Sequence, residues 1–179
     1  MISSSSEEVL ADYFRVVFLG SPEVGKTTMI NWILDLPFSE EYHPSTGVRF
    51  YNVDTILGEN QYYLQLCDVS GNKVYSNSIN SFLKAASIAI IVFDYKNKGS
   101  QLEIQKYYSK VSELLPPTQI LLIGNKFENE KNEIPKSLSN WVKSQNLAIF
   151  PISVRKNIGK SLLMQNIIQI IAEISNNQE

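Results

Sequence analysis

A short loop pattern between an apolar run and a helical pattern constrains this chain more than any other feature. Positions 20–28, GSPEVGKTT, satisfy the pattern G-x-x-x-x-G-K-[ST]. They follow the apolar run YFRVVFL (Tyr13–Leu19), which predicts a buried strand, and they open a helical pattern over residues 26–36 that ends at Pro37. Strand, glycine loop and helix in this order are the context that a phosphate-binding loop requires. We therefore expect a nucleoside triphosphate site at this turn.

The chemistry of that site follows from its residue types. Glycines let successive backbone N–H groups face a phosphate, and the helix N-terminus adds about half a positive charge. Lys26 would neutralise the β- and γ-phosphates, and the Thr27 hydroxyl is a ligand for Mg²⁺. The alternative is an ordinary strand–helix turn that carries a lysine by chance. The candidate phosphate-binding residues are Glu23, Val24, Gly25, Lys26, Thr27 and Thr28.

Strand and helix patterns alternate along the rest of the chain. VRFYNVDTIL and QYYLQLCD flank a Gly-Glu-Asn turn and predict an antiparallel hairpin, whereas SIAIIVF and QILLI are typical of parallel strands that are covered on both faces. A further strand is predicted at LAIFPI, and helices are predicted over residues 102–115, 137–145 and 159–174. These patterns predict a three-layer α/β fold with a mostly parallel six-stranded sheet, one antiparallel edge hairpin and about five helices. We expect one domain over residues 13–175, a disordered tail over 1–12 and a short tail over 176–179.

Composition excludes several classes of function. The 179 residues suffice for one domain, and the net charge of −2 argues against nucleic-acid binding through overall basicity. One cysteine, Cys67, and one histidine, His43, exclude a disulfide framework and the usual zinc sites. No signal peptide, apolar span or lipidation motif is recognisable. We expect a cytoplasmic protein that reaches a membrane only through a partner or through a missing C-terminal segment.

Four further motifs carry a resemblance to a known family. They are YHPST at 42–46, DVSG at 68–71, GNKFE at 124–128 and ISVRK at 152–156. With the phosphate loop, the chain resembles the Ras superfamily of small GTPases, most closely the Rab branch, over residues 13–174. Taken singly, each motif has a plain alternative, such as a solvated strand end or an ordinary turn. Their order along the chain and their positions at predicted strand ends support the family.

The resemblance implies a set of metal and phosphate contacts. Thr27, Ser45 and Asp68 would hold Mg²⁺, the last of them through water, and the Gly71 N–H would sense the γ-phosphate. Ser45 lies 18 positions after Thr27, the interval that the family keeps, and the neighbouring Thr46 is the alternative. Lys26, Gly71 and the following Asn72 are the candidate catalytic residues.

The resemblance also implies a guanine site. Asn125, Lys126 and Glu128 occupy the positions of the family's base-reading motif, N-K-x-D. Phe38 lies where the family stacks an aromatic ring on the base, although taken alone it could be a core residue. Ser153, Val154 and Arg155 stand in place of the family's S-A-K. We expect guanine nucleotides, GTP and GDP, as ligands.

Departures from the family pattern lower the expected activity. Pro22 offers no N–H to a phosphate, and Glu23 brings a negative charge into the loop. Glu128 replaces aspartate, which moves the base-reading carboxylate by about one bond length and predicts weaker discrimination. Asn72 stands where Ras and Rab proteins usually have the glutamine that orients water. Cys67 replaces the tryptophan of Rab proteins, which predicts an altered partner surface.

The resemblance implies a GTP/GDP switch with slow intrinsic hydrolysis, in intracellular trafficking or signalling. Effectors, exchange factors and GTPase-activating proteins would bind through the loops around 38–50 and 69–84. One alternative is a GTPase-like interaction module that binds nucleotide and hardly hydrolyses it. Another is a P-loop nucleotide kinase, which would need a lid with arginines that is not recognisable in the chain.

Overall fold

Six strands form one sheet, with most neighbours parallel. The computed structural model describes residues 13–39, 46–57, 60–71, 79–129 and 133–177. The strands are β1 (Tyr13–Leu19), β2 (Val48–Leu57), β3 (Asn60–Val69), β4 (Ile88–Asp94), β5 (Ile120–Asn125) and β6 (Ile149–Pro151). Their order in the sheet is β2-β3-β1-β4-β5-β6, and only the β2–β3 pair is antiparallel. The predicted mostly parallel sheet with one antiparallel edge hairpin is confirmed.

Helices cover both faces of this sheet. They are α1 (Lys26–Ile33), α2 (Ile79–Leu83), α3 (Lys98–Leu102), α4 (Ile104–Ser112), α5 (Lys136–Ser144) and α6 (Lys160–Asn176). Alternate side chains of a strand point to opposite faces. Accordingly, Phe14, Val16 and Phe18 of β1 pack in one core with α1 and α6, whereas Val17 and Leu19 pack in a second core with α4 and α5. Two cores on either side of one sheet give the predicted three layers.

Among the predicted helices, three differ from the sequence prediction by more than one residue at one end or both. The helix predicted over 102–115 is two helices, α3 and α4. The first of them begins earlier than predicted because Asn97 caps it: its side chain accepts a hydrogen bond from the Ser100 N–H at 3.2 Å. Helix α1 ends before Leu36, since Asp35 adopts a left-handed φ of 57°. At the other end of the chain, α6 continues to Asn176, into the predicted short tail. The predicted disordered tail, residues 1–12, lies outside the described residues.

The sheet brings the candidate motifs to one edge. The carboxyl ends of parallel strands lie together, and in open α/β sheets ligands bind outside those ends. The loops after β1, β3, β4, β5 and β6 therefore meet at this edge. The phosphate loop follows β1, DVSG lies at the end of β3, GNKFE at the end of β5, and ISVRK follows β6. Within the described residues, no helix has the length and apolar character that crossing a bilayer requires.

Candidate functional site

The loop between β1 and α1 closes around the side chain of Lys26. The Lys26 Nζ donates hydrogen bonds to the carbonyls of Gly20 at 2.8 Å and Ser21 at 2.9 Å, and the residue is 6% exposed. Burial lowers the pKa of Lys26 to about 8, and the charge of nearby Asp68 opposes that shift. A phosphate in this loop would add the negative charge that favours the protonated lysine.

The backbone of the loop needs its glycines. Gly20 has a φ of 143°, and a Cβ there would lie 2.2 Å from the Val92 carbonyl oxygen of β4. Gly25 has a φ of 93°, and a Cβ there would lie 2.4 Å from Asn125 Nδ2. Glu23 also adopts a left-handed φ of 64°, and it is exposed, so its charge is solvated. Atoms of β4 and β5 thus lie so close to the loop that only glycine fits at these two positions.

Thr27 and Asp68 form a pair of candidate oxygen ligands beside the loop. The Thr27 hydroxyl donates to Asp68 Oδ2 at 2.6 Å, and Asp68 is 1% exposed. The second carboxylate oxygen, Oδ1, is buried without a hydrogen-bond partner, which is costly for a carboxylate. Mg²⁺ prefers such oxygens and takes its remaining ligands from water and phosphate. The pair fits Mg²⁺, although the described residues contain no cluster of three His, Cys, Asp or Glu that would hold a metal by itself.

Gly71 lies directly against the phosphate loop. A Cβ at this position would lie 2.5 Å from the backbone nitrogen of Pro22 and 2.5 Å from the carbonyl carbon of Ser21. The structure therefore brings the glycine of DVSG to the loop that holds Lys26. The predicted Ser45 and Asn72 lie outside the described residues. Thr46, the alternative to Ser45, is exposed just before β2.

The end of β5 is bonded to the phosphate loop. Asn125, 3% exposed, donates from Nδ2 to the Val24 carbonyl at 2.9 Å, and its Oδ1 is buried without a partner. The Lys126 Nζ donates to the Glu23 carbonyl at 2.8 Å and pairs with Asp94 Oδ2 at 2.8 Å. The two candidate base-site residues therefore also hold the loop that would bind phosphate.

The loop after β6 completes this edge of the sheet. Ile152 donates its N–H to the Gly124 carbonyl and accepts a hydrogen bond from the Phe127 N–H, which fixes the loop beside β5. Ser153 and Val154, which follow Ile152, are buried, whereas Arg155 is exposed.

Two other predicted residues lie on α1 and beyond it. Thr28 is half-buried in the first turn of α1. Phe38 is 48% exposed after α1, and within the described part of the chain no ring contact joins it to the other candidate residues. The structure thus gathers the candidate phosphate, metal and base motifs, and Phe38 makes no ring contact with them in the described part of the chain.

The sequence analysis missed a charged pair at the base-reading motif. Lys96 Nζ lies 2.5 Å from Glu128 Oε1, and this hydrogen bond and charge lower the pKa of Glu128. Lys96 follows Asp94, an acidic residue at the end of a strand that is otherwise apolar and fully buried. A carboxylate at the end of such a strand is the signal that could have drawn attention to this loop.

A second missed contact lies under the phosphate loop. The Ser21 hydroxyl donates to Glu103 Oε2 at 2.6 Å, at the junction of α3 and α4. Burial and the charge of Glu103 raise the pKa of the adjacent Tyr107 to about 12, against a hydrogen bond with Ser21 that lowers it. The phosphate loop is therefore bonded to a helix as well as to strands β4 and β5.

Comparison with known proteins decides the family. The Ras family model matches residues 15–173, nearly the whole described chain. The chain belongs to the Ras family. The match confirms the predicted resemblance and the small-GTPase fold, while the Rab-like subtype stays a prediction.

One curated relative is a human protein named EF-hand calcium-binding domain-containing protein 4B. It is 33% identical over 140 residues, which cover 76% of this chain and 19% of the relative. The chain thus spans about a fifth of that relative's length.

Proposed function

We propose that this small GTPase is a GTP/GDP molecular switch with slow intrinsic hydrolysis, acting in trafficking or signalling. The observation that carries the proposal is the Thr27–Asp68 pair: a hydroxyl bonded to a buried carboxylate whose second oxygen has no partner. The pair lies beside a loop whose lysine is itself buried. Ligands of the Ras family, a guanine nucleotide with Mg²⁺, would satisfy both groups.

The candidate residues divide the work of binding. Lys26 and the loop N–H groups would bind the β- and γ-phosphates, and Thr27, Ser45 and, through water, Asp68 would hold Mg²⁺. That ion would offset phosphate charge when bound. Asn125, Lys126 and Glu128 would select the base. Phe38, Ser153, Val154 and Arg155 remain proposed base contacts from the family resemblance.

The switch depends on contacts that only the γ-phosphate makes. With GTP bound, Ser45 would contact Mg²⁺ and the Gly71 N–H would contact the γ-phosphate. Both contacts would be lost after hydrolysis. In the reaction, water attacks the γ-phosphorus in line and the bond to the β-phosphate oxygen breaks. Asn72 would orient that water, and its amide is one methylene shorter than the family's glutamine. Slow hydrolysis without a partner follows from this shorter reach.

Partners would recognise the two switch loops. Effectors, exchange factors and GTPase-activating proteins are proposed to bind around 38–50 and 69–84. In this region Phe50 is half-exposed, and its ring centroid lies 5.8 Å from that of Phe82.

We propose a cytoplasmic location, with membrane attachment through a partner or through a C-terminal segment outside this sequence. No nucleic-acid partner is proposed.

Nucleotide selection and metal dependence test the proposal together. We expect GTP and GDP to displace a labelled GDP analogue far better than ATP does. Thr27→Val should weaken the Mg²⁺-dependent part of GTP binding by about tenfold or more, because it removes one of the oxygen ligands proposed for Mg²⁺. Thr118→Val, at an exposed threonine just before β5, is the matched control and should bind GTP like the wild type. Equal displacement by ATP, or equal effects of the two variants, would contradict the proposal.

A hydrolysis-deficient interaction module is the second candidate. It is favoured by the contact of Gly71 with Pro22, because the proline offers no N–H and occupies the space next to the DVSG glycine. Single-turnover phosphate release separates the two functions. We expect slow release that Asn72→Gln accelerates, and a Pro22→Gly, Asn72→Gln double variant should show coupling between the two sites. Release that stays at the uncatalysed rate in all variants would support the module instead.

A further inference from the structure

The Lys96–Glu128 pair lies at the edge of the proposed base site. Glu128 follows the end of β5, and Lys96 follows the end of β4, the neighbouring strand. The Lys96 Nζ donates to Glu128 Oε1 at 2.5 Å, and both side chains are about half exposed. An exposed pair of this kind adds little to the free energy of folding. The consequence of the pair that matters for the site is therefore the position in which Lys96 holds the Glu128 carboxylate.

Lys96 is itself anchored by a buried carboxylate. Asp94, 6% exposed, accepts the backbone N–H of Lys96 on Oδ1 at 2.8 Å. Its other oxygen, Oδ2, pairs with Lys126 Nζ at 2.8 Å, and that same nitrogen donates to the Glu23 carbonyl. One buried carboxylate thus fixes both the lysine that holds the phosphate loop and the lysine that holds Glu128.

The backbone of Glu128 is fixed from the other side. Lys156 Nζ donates to the Glu128 carbonyl at 2.9 Å, and the preceding Phe127 N–H donates to the Ile152 carbonyl at 3.0 Å. With the backbone held, the freedom left to Glu128 is its longer side chain, which has one more methylene than aspartate. Lys96 donates a hydrogen bond to that side chain and so restricts its position.

We propose that Lys96 is a positioning residue for base selection, which holds the Glu128 carboxylate ready for guanine. The inference rests on the proposed guanine site. A carboxylate has about four lone-pair positions, so a bond from Lys96 is compatible with bonds from the N1–H and 2-amino groups of guanine. Adenine offers neither donor on that edge. Pre-orientation by Lys96 would thus offset the longer, more flexible side chain of Glu128.

The test compares affinities for GDP and ADP in Lys96→Met, Lys96→Arg and Lys98→Met. Lys96→Met removes the ammonium and should weaken GDP binding about three- to tenfold, since one side chain must then be ordered on binding. ADP affinity should not change, so the preference for guanine falls by the same factor. Lys96→Arg keeps the charge and should retain most of that preference. Lys98, an exposed lysine at the start of α3, is the matched control and should have no effect.

A double-mutant cycle with Glu128→Asp distinguishes positioning from a general charge effect. The shorter carboxylate should lie out of reach of Lys96, so Lys96→Met should change GDP affinity little in that background. If the wild type prefers guanine and Lys96→Met has the same or a greater preference, the inference about Lys96 is wrong and the proposed function still stands. A wild type without guanine preference would overturn both. Loss of GDP binding equal in both backgrounds would also overturn the inference.

Discussion

Lys26 holds an ammonium where burial lowers its pKa to about 8 from an ordinary value of 10.5. In the nucleotide-free protein, the unfolded chain therefore binds this proton more tightly than the folded chain does. Below pH 8 both states are protonated, and the buried charge opposes folding in full. Between pH 8 and pH 10.5 the folded state releases its proton first, so the free energy of unfolding rises with pH through this window.

Replacing Lys26 by methionine should remove this dependence. At pH 7.5 the buried charge lowers the free energy of unfolding of the nucleotide-free wild type by up to about 3 kcal/mol. The Lys26→Met protein has no such charge and lacks this destabilisation. The lost hydrogen bonds to Gly20 and Ser21 shift the difference by an amount that does not depend on pH. Urea unfolding of both proteins from pH 7.5 to pH 10 measures the slope. Curves that run parallel over this range would show that Lys26 has an ordinary pKa.

Sequence reasoning at the residue scale succeeds where the local backbone decides the position. The pattern around Lys26 predicts its place because loop and helix are contiguous in the chain. The Lys96–Glu128 pair could not be predicted in the same way, since the two residues are 32 positions apart and exposed lysines are common. Only the β4–β5 register, which sets Asp94 beside Asn125, brings the two loops together.

Helix α1 connects the phosphate loop to the loop after β6. Its first turn carries Lys26 and Thr27, and at its other end the Trp32 Nε1 donates to Asn157 Oδ1 at 2.7 Å. Just beyond the helix, Asp35 Oδ1 pairs with Lys160 Nζ at 2.5 Å. The proposed phosphate and base contacts are therefore joined through one helix as well as through the sheet.

Loss of the Trp32 hydrogen bond should loosen the base-side loop. Trp32→Phe keeps an aromatic ring in the α1–α6 core and removes the bond to Asn157, worth about 1 kcal/mol. We expect a fluorescent GDP analogue to dissociate roughly fivefold faster. Trp141→Phe is the matched control, because Trp141 packs against Tyr108 in the opposite core. If both variants release the analogue equally fast, α1 does not stabilise the bound nucleotide through this loop.

The elements themselves were predictable to the extent that hydrophobic pattern sets them. The apolar runs of β1 and β4 are parallel strands because both faces are covered, as their near-continuous hydrophobicity indicates. The early start of α3 was missed because the cap at Asn97 lies before the apolar periodicity begins. Strand β6 is shorter than LAIFPI because, at the edge of the sheet, it pairs only with β5 over three residues.

On the scale of the whole molecule, the site spans one edge of a sheet that is packed on both faces. In the middle of the sheet, β4 and β5 are buried along their whole length and β1 along most of it. Their backbone positions are therefore set by two cores rather than by a ligand. Contacts to the base and to the first two phosphates would be the same with GDP and GTP. A difference between the two states must therefore arise in the loops that are proposed to reach the γ-phosphate, through Ser45 and Gly71.

Hydrogen exchange should locate that difference. With Mg²⁺ and a non-hydrolysable GTP analogue, we expect slower amide exchange than with GDP over residues 38–50 and 69–84, and equal exchange in β4 and β5. Gly71→Ala should abolish the difference over 69–84, because its Cβ would lie 2.5 Å from the Pro22 nitrogen and must displace the DVSG segment from the loop. Gly99→Ala, in α3, where the nearest atom to a new Cβ is a side-chain oxygen at 3.1 Å, should leave it intact. Equal exchange with both nucleotides in the wild type would mean that the protein binds them without switching.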